Sequence, residues 1–235
     1  MRAIGLVGGM TPESTLIYYQ LLIRGARARL ADPDPLRNPL VLLYSLDLSQ
    51  VVALQRSGRT DDLAEHLATI CETLRRAGAE VGALTANTPH LYLDGIRERT
   101  RLELVSIVDA TCSAVAAAGV LRPLLLGTRF TMASPMYRSR LAAAGIDAVI
   151  PDEEDARFVD HAIYHELAVG TVRQEVRDRM VGLCRHAVSA SGADAVILAC
   201  TELPLVLSSD SVSVPVVDTT RVHVDAILDR AQESG

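Results

Sequence analysis

Gly78-Ala79-Glu80-Val81-Gly82-Ala83-Leu84-Thr85-Ala86-Asn87-Thr88 and Gly192-Ala193-Asp194-Ala195-Val196-Ile197-Leu198-Ala199-Cys200-Thr201-Glu202 lie 114 residues apart and align without a gap. Gly, Ala and Leu recur, and Glu80 becomes Asp194. Each copy reads as a helix end, a buried strand and a small polar cluster. A fainter echo pairs Ile4–Gly8 with Leu124–Gly127. Repetition on this scale predicts two similar halves.

Short apolar runs alternate with helical stretches on either side of these segments. Strands are expected at Ala3–Val7, Pro39–Ser45, Val81–Thr85, Val105–Val108, Pro123–Leu126, Ala195–Ala199 and Val214–Val217. Helices are expected from Thr11 to about Leu30, and at Asp61–Ala77, Asp109–Ala118, Ser134–Ala144, Glu154–Ala168, Thr171–Ser191 and Thr219–Arg230. Thr11-Pro12-Glu13 supplies a cap, a first-turn proline and an early acid for the first helix. Strand–helix alternation means parallel sheet. The expected fold is therefore α/β, with two pseudo-symmetric domains, each a mostly parallel sheet flanked by helices. The expected division is 1–105 plus 213–235, and 106–212. Ligands of open parallel sheets sit beyond the carboxyl ends of the strands. Two halves facing each other would bring Ala86-Asn87-Thr88 and Cys200-Thr201-Glu202 to opposite walls of one interdomain cleft.

Composition narrows the chemistry. All 23 basic residues of the 235 are arginine, and the net charge is −6. Without lysine there is no Schiff base for pyridoxal phosphate and no Walker-type phosphate loop. A mildly acidic chain with no arginine cluster is not expected to bind nucleic acid. Gly5-Leu6-Val7-Gly8-Gly9-Met10 lacks the G-x-G-x-x-G dinucleotide spacing, although a small anion could approach its backbone. No run approaches 18 apolar residues, and the Gly-rich start does not read as a signal peptide, so a cytoplasmic setting is expected.

Cys200 is the sharpest candidate, because it follows a buried strand just where a turn should lead into a helix. A thiol at a helix amino terminus has a lowered pKa and serves as base or nucleophile. A small buried hydrophobe is the alternative reading. Cys71, Cys112 and Cys184 fall inside expected helices and read as packing residues. Asn87 and Thr88 offer an amide and a hydroxyl at the matching strand end, for a substrate carboxylate or amino group or simply as a turn. His90 could orient a carboxylate. Thr128 and Thr131 could bind a carboxylate or cap the next helix. His161 and His165 share a helix face, but no third ligand is evident, and no metal site is expected.

The chain resembles the pyridoxal-independent aspartate/glutamate racemases, in the aspartate racemase branch. The matching segments are Ile4–Met10 with Glu13-Ser14-Thr15 and Tyr18-Tyr19, Asn87-Thr88-Pro89-His90, Leu126–Met132, Ala199-Cys200-Thr201-Glu202 and Val217-Asp218-Thr219-Thr220. The resemblance implies an active site in the interdomain cleft, no cofactor, a small amino-acid or carboxylate substrate and a homodimer. It implies racemisation by two thiols that flank the α-carbon, one removing the proton and the other returning it. Cys200 takes one of these positions. Asn87, Thr88, Thr128 and Thr201 would hold the α-carboxylate and amino group, with Met10 and Gln55 as further substrate contacts. The resemblance points to aspartate or glutamate as substrate, with Arg129 and Arg56 as candidate cations for its distal carboxylate.

The position of the other thiol holds Ala86, which cannot move a proton. Thr85 is one residue earlier, and strand alternation points it away from the cleft. Three explanations stay open. Another group or water could stand in for the thiol; the protein could be a one-thiol decarboxylase or isomerase of the same fold; or Ala86 could be an introduced change in a form that binds without turnover.

Overall fold

The computed structural model describes residues 1–30 and 36–233. Two compact units divide the chain, one from Met1 to Ser106 and again from His223, the other Ile107–Val222.

In the first unit, β1 (Ile4–Gly8) leads to α1 (Pro12–Ala28), β2 (Val41–Ser45), α2 (Leu48–Arg56) and α3 (Thr60–Arg76). Then come β3 (Val81–Leu84), a 3-10 turn at Thr88–Tyr92, α4 (Leu93–Arg99) and β4 (Glu103–Leu104). The sheet is parallel throughout, in the order β2-β1-β3-β4. Strand alternation sends Ile4 and Leu6 to one face, against Tyr18 and Leu22 of α1. Val7 goes to the other face, against Leu63, Leu67 and Leu74 of α3. The Thr11 hydroxyl caps α1, accepting from the Ser14 N–H at 3.2 Å, as the Thr-Pro-Glu sequence predicts.

The second unit begins with α5 (Ile107–Ala117) and continues through β5 (Pro123–Gly127), α6 (Arg129–Ala133) and α7 (Pro135–Ala143). After α8 (Glu153–His165) and α9 (Gln174–Ser191) come β6 (Ala195–Ala199), β7 (Val216–Asp218) and α10 (Thr219–Gln232). Its parallel sheet has the order β5-β6-β7. A parallel bridge from Leu124 to Val149 stands where β2 stands in the first unit.

The repeat is structural. β3 pairs with β1 from Val81 and Ile4, and β6 pairs with β5 from Ala195 and Pro123. The acid before each strand does the same work in both copies. Glu80 Oε1 accepts the Ala3 N–H at 3.1 Å. Asp194 accepts the N–H groups of Leu121 and Arg122 at 2.7 and 2.9 Å. Each acid therefore holds the entry of the neighbouring strand.

The helix that follows the last strand of each sheet joins the other unit. α5 follows β4 yet packs Ile107, Val108 and Val115 in the second unit's core, around Leu125 and Tyr137. α10 follows β7, and its Val224, Ile227 and Leu228 pack in the first unit's core around Ile4, Leu6 and Tyr18.

Some expected boundaries move. The run Val105–Val108 is not a strand: β4 ends at Leu104, and Ile107 and Val108 are buried in α5. An apolar run this short fits either element. The expected return to the first domain at residue 213 falls instead at His223, because β7 hydrogen-bonds to β6. Residues 234–235 of that expected segment lie outside the described residues. α2, α4 and α6 add to the expected helices.

Ile227→Ala tests the exchange of helices. A buried large-to-small change of this kind costs about 2–5 kcal/mol. Hydrogen-exchange protection is expected to fall first in the first unit, and an equal loss in both would contradict the assignment of α10. His223 gives a second test. Burial, with His90 beside it, pushes its pKa down to about 3. The unfolded imidazole takes a proton near pH 6.5, which the folded one refuses until about 3. Stability therefore drops as pH falls through that window, and urea midpoints at pH 7 and 4 should differ less in His223→Gln than in the unsubstituted protein.

Candidate active site

In the second unit, β6 ends at Ala199 and delivers Cys200, buried at 8% exposure. Its Sγ donates to Glu202 Oε2 at 2.9 Å, and the Thr201 hydroxyl donates to the same oxygen at 2.6 Å. One carboxylate oxygen thus takes two donors from consecutive residues.

The expected lowering of the Cys200 pKa is corrected by this geometry. Burial pushes the thiol well above its ordinary value, and the Glu202 carboxylate adds to the rise. The Thr201 and Glu202 N–H groups favour the thiolate, but they are outweighed. The chain beyond Glu202 forms only a three-residue 3-10 turn, Leu203–Leu205, rather than a helix with a sizeable dipole. The resting thiol is a proton donor whose acceptor is already in place.

Thr128, at the end of the adjacent β5, caps α6: its hydroxyl accepts from the Thr131 N–H at 3.3 Å and lies 3.1 Å from the Thr131 hydroxyl. Tyr164 of α8 is a half-exposed neighbour whose partial burial raises its pKa, with Asp160, Cys200 and Glu202 adding to the rise. Gly127 allows a close approach here, since a Cβ would sit 3.0 Å from the Ala199 carbonyl. Cys200, Thr201, Glu202, Thr128 and Tyr164 therefore form one group drawn from β5, β6 and α8.

In the first unit, the corresponding strand end carries Ala86, half-buried, then Asn87, buried, and Thr88, half-buried. The Thr85 hydroxyl is fully buried and donates to the Val7 carbonyl at 3.3 Å, as strand alternation requires. The Ser14 hydroxyl reaches the Thr85 carbonyl at 3.1 Å, and the Gly9 N–H donates to the Thr15 hydroxyl at 2.9 Å. α1 thereby ties the Gly8-Gly9 loop to the loop after β3. Gly9 has φ of 85°, and a Cβ there would lie 2.5 Å from the Leu46 carbonyl, so glycine is required on both counts. His90 sits in the 3-10 turn, with Nδ1 2.9 Å from the Ala86 carbonyl.

Met10 is buried in the α3-side core with Val7 and Leu46. Gln55 is half-buried on α2, and Arg56 and Arg129 are exposed. His161 and His165 stack at 4.2 Å on the exposed face of α8, and among the described residues no group of three metal-ligating side chains occurs. Cys71, Cys112 and Cys184 pack into helices, and burial raises them to about 12, 11 and 11. Sequence reasoning gives Glu202 no role; its spacing of two from Cys200 is the available signal. Tyr164 has no local signal, because only the fold brings α8 to the end of β5.

The Asp/Glu/hydantoin racemase family model matches residues 7–227. The structure is similar to that of a Yersinia pestis protein described as a candidate Asp/Glu racemase, with TM-score 0.91 and 35% identity over 99% of this chain and 100% of that one. An aspartate racemase homologue from Pyrococcus horikoshii OT3 aligns with TM-score 0.87 and 33% identity, over 99% of this chain and 100% of the other. The broad specificity amino-acid racemase RacX of Bacillus subtilis is 22% identical over 217 residues, 92% of each chain.

The Cys200–Glu202 contact is testable by alkylation. At pH 8 Cys200 should react with iodoacetamide far more slowly than an unperturbed thiol. Glu202→Gln removes the negative charge, lowers the thiol pKa and should accelerate the reaction by about an order of magnitude. Mass-spectrometric rates at Cys200 check this; an unchanged or slower rate in Glu202→Gln contradicts it.

Proposed function

Because the chain belongs to the Asp/Glu/hydantoin racemase family, we propose that it is a cofactor-independent amino-acid racemase or epimerase acting on aspartate or glutamate, with Cys200 as its thiol acid/base. The observation that supports this reading is the Cys200–Glu202 pair, a buried thiol whose proton already points at a carboxylate. To act as base, the thiol passes its proton to Glu202, and the resulting thiolate takes the proton from the substrate α-carbon. To act as acid, the thiol gives its proton to the α-carbanion. Asn87, Thr88, Thr128 and Thr201 are the polar partners for the α-carboxylate and amino group, with Met10 and Gln55 as weaker contacts.

Ala86 carries no exchangeable side-chain proton. In this reading proton transfer is confined to the Cys200 side, so one enantiomer exchanges its α-proton faster than it inverts. The same feature favours a second reading, a one-thiol decarboxylase or isomerase of a malonate-like acid. The proposal includes a cytoplasmic homodimer. Leu16 and Tyr19 of α1 and Leu43 and Tyr44 of the edge strand β2 are exposed apolar side chains that a second copy would cover. No helix among the described residues is long and apolar enough to cross a membrane.

The test is α-proton exchange of L- and D-aspartate and glutamate in D₂O, followed by NMR and chiral chromatography. Cys200→Ala should lower exchange by about 10²–10⁴-fold. Ala86→Cys should raise inversion relative to exchange. A folded protein that exchanges no amino acid but releases CO₂ from a malonate-like acid supports the second reading. Inactivity on both, with ligand-induced thermal stabilisation, indicates a binding protein.

A further inference from the structure

His90 and His223 share a buried corner of the first unit that the thiol chemistry does not use. His90 is 6% exposed and His223 is fully buried. Their rings meet edge to face, with centroids 5.6 Å apart and planes at 77°. A carbonyl can only accept, so the contacts fix the protons. His90 Nδ1 lies 2.9 Å from the Ala86 carbonyl and therefore carries hydrogen. His223 Nε2 lies 3.0 Å from the Val105 carbonyl and carries hydrogen as well. Its Nδ1, at 2.8 Å, is left to accept from the Tyr18 hydroxyl. His223 is thus held from both nitrogens, neutral and fixed in orientation, and His90 packs against that fixed ring.

The bond from His90 lands on the residue just before Asn87 and Thr88. The preceding residue is already tied down: the Thr85 carbonyl accepts from Ser14, and the Thr85 hydroxyl donates to Val7. The Ala86 carbonyl is the next peptide oxygen along, so its direction sets the path of the backbone into the 3-10 turn. We propose that His90 is the positioning residue of the Ala86–Thr88 loop, acting through its Nδ1–H bond to the Ala86 carbonyl with the His223 ring as its backing. This rests on the reading that Asn87 and Thr88 hold substrate. His90 itself is given no contact with substrate.

The geometry separates the conservative variants. Asparagine can place an amide N–H where Nδ1–H stands; glutamine and leucine cannot. Against an unchanged kcat, His90→Gln and His90→Leu should raise KM about tenfold, the loss of roughly one positioning hydrogen bond. His90→Asn should stay within a few-fold of the unsubstituted enzyme. A purely structural role would lower the active fraction in all three variants without separating KM from kcat or asparagine from glutamine.

Two readouts need no turnover. Long-range ¹⁵N–¹H NMR of the unsubstituted protein should show His90 as the Nδ1–H tautomer. Amide exchange at residues 86–88 should quicken in His90→Leu or His90→Gln, with residues 198–202 unchanged. An Nε2–H tautomer overturns the proposal even if no variant folds. So do unchanged exchange rates at residues 86–88. If no amino acid is turned over, the racemase reading fails while these measurements still decide the role of His90.

Discussion

Each unit's core is closed by a helix that arrives from the end of the other unit's sheet, and the structure depends on this exchange. α10 brings His223 to Tyr18, and α5 brings Ile107, Val108 and Val115 into the cluster around Leu125 and Tyr137. Both tyrosines are fully buried. A buried hydroxyl without a partner is costly, so the Tyr18–His223 bond gives α10 a defined rotation and depth as well as an apolar face. Thr219, the first residue of α10, donates to the Leu198 carbonyl at 2.9 Å, two residues before Cys200.

The electrostatics around Cys200 follow from where the fold places it. Burial disfavours the thiolate, and the nearby carboxylate disfavours it further. A free-standing nucleophile would be poorly served by this environment. The environment instead keeps the thiol protonated and hydrogen-bonded to Glu202. Thr201 donates to the same carboxylate oxygen, so Glu202 keeps its orientation whether or not the thiol bond is made.

The ungapped 114-residue repeat is legible in the sequence because β3 and β6 are buried on both faces. It carries the parallel α/β fold and locates both strand-end clusters. Glu80 and Asp194 appear in it as a similarity without a reason; the reason is the neighbouring strand's N–H groups. The boundary expected near residue 213 is displaced because β7 is three residues long and carries no signal of which sheet it joins. Cys200 is where the sequence places it, but the lowered pKa expected of it depends on a helix that is not there. Local sequence gives the position of a side chain along the chain, whereas its desolvation depends on what the fold brings against it, as with Tyr164.

The difference between the two strand ends is then a difference of side chains on a shared scaffold. In one, Cys200 and Glu202 pair a thiol with a carboxylate. In the other, Ala86 contributes a methyl group. Thr85 cannot take over by a small adjustment. Its hydroxyl is fully buried and bonded to Val7, and its carbonyl is held by Ser14. Side chains in a strand alternate, so bringing Thr85 to the position of Ala86 would require a one-residue slip, and a slip reverses every side chain in the strand. Val81, Ala83 and Leu84 are all buried against helices on fixed faces, and such a slip would expose both cores. The packing that makes β3 a good platform for Asn87 and Thr88 therefore also fixes the chemical asymmetry of the pair, and only a substitution at position 86 itself can change it.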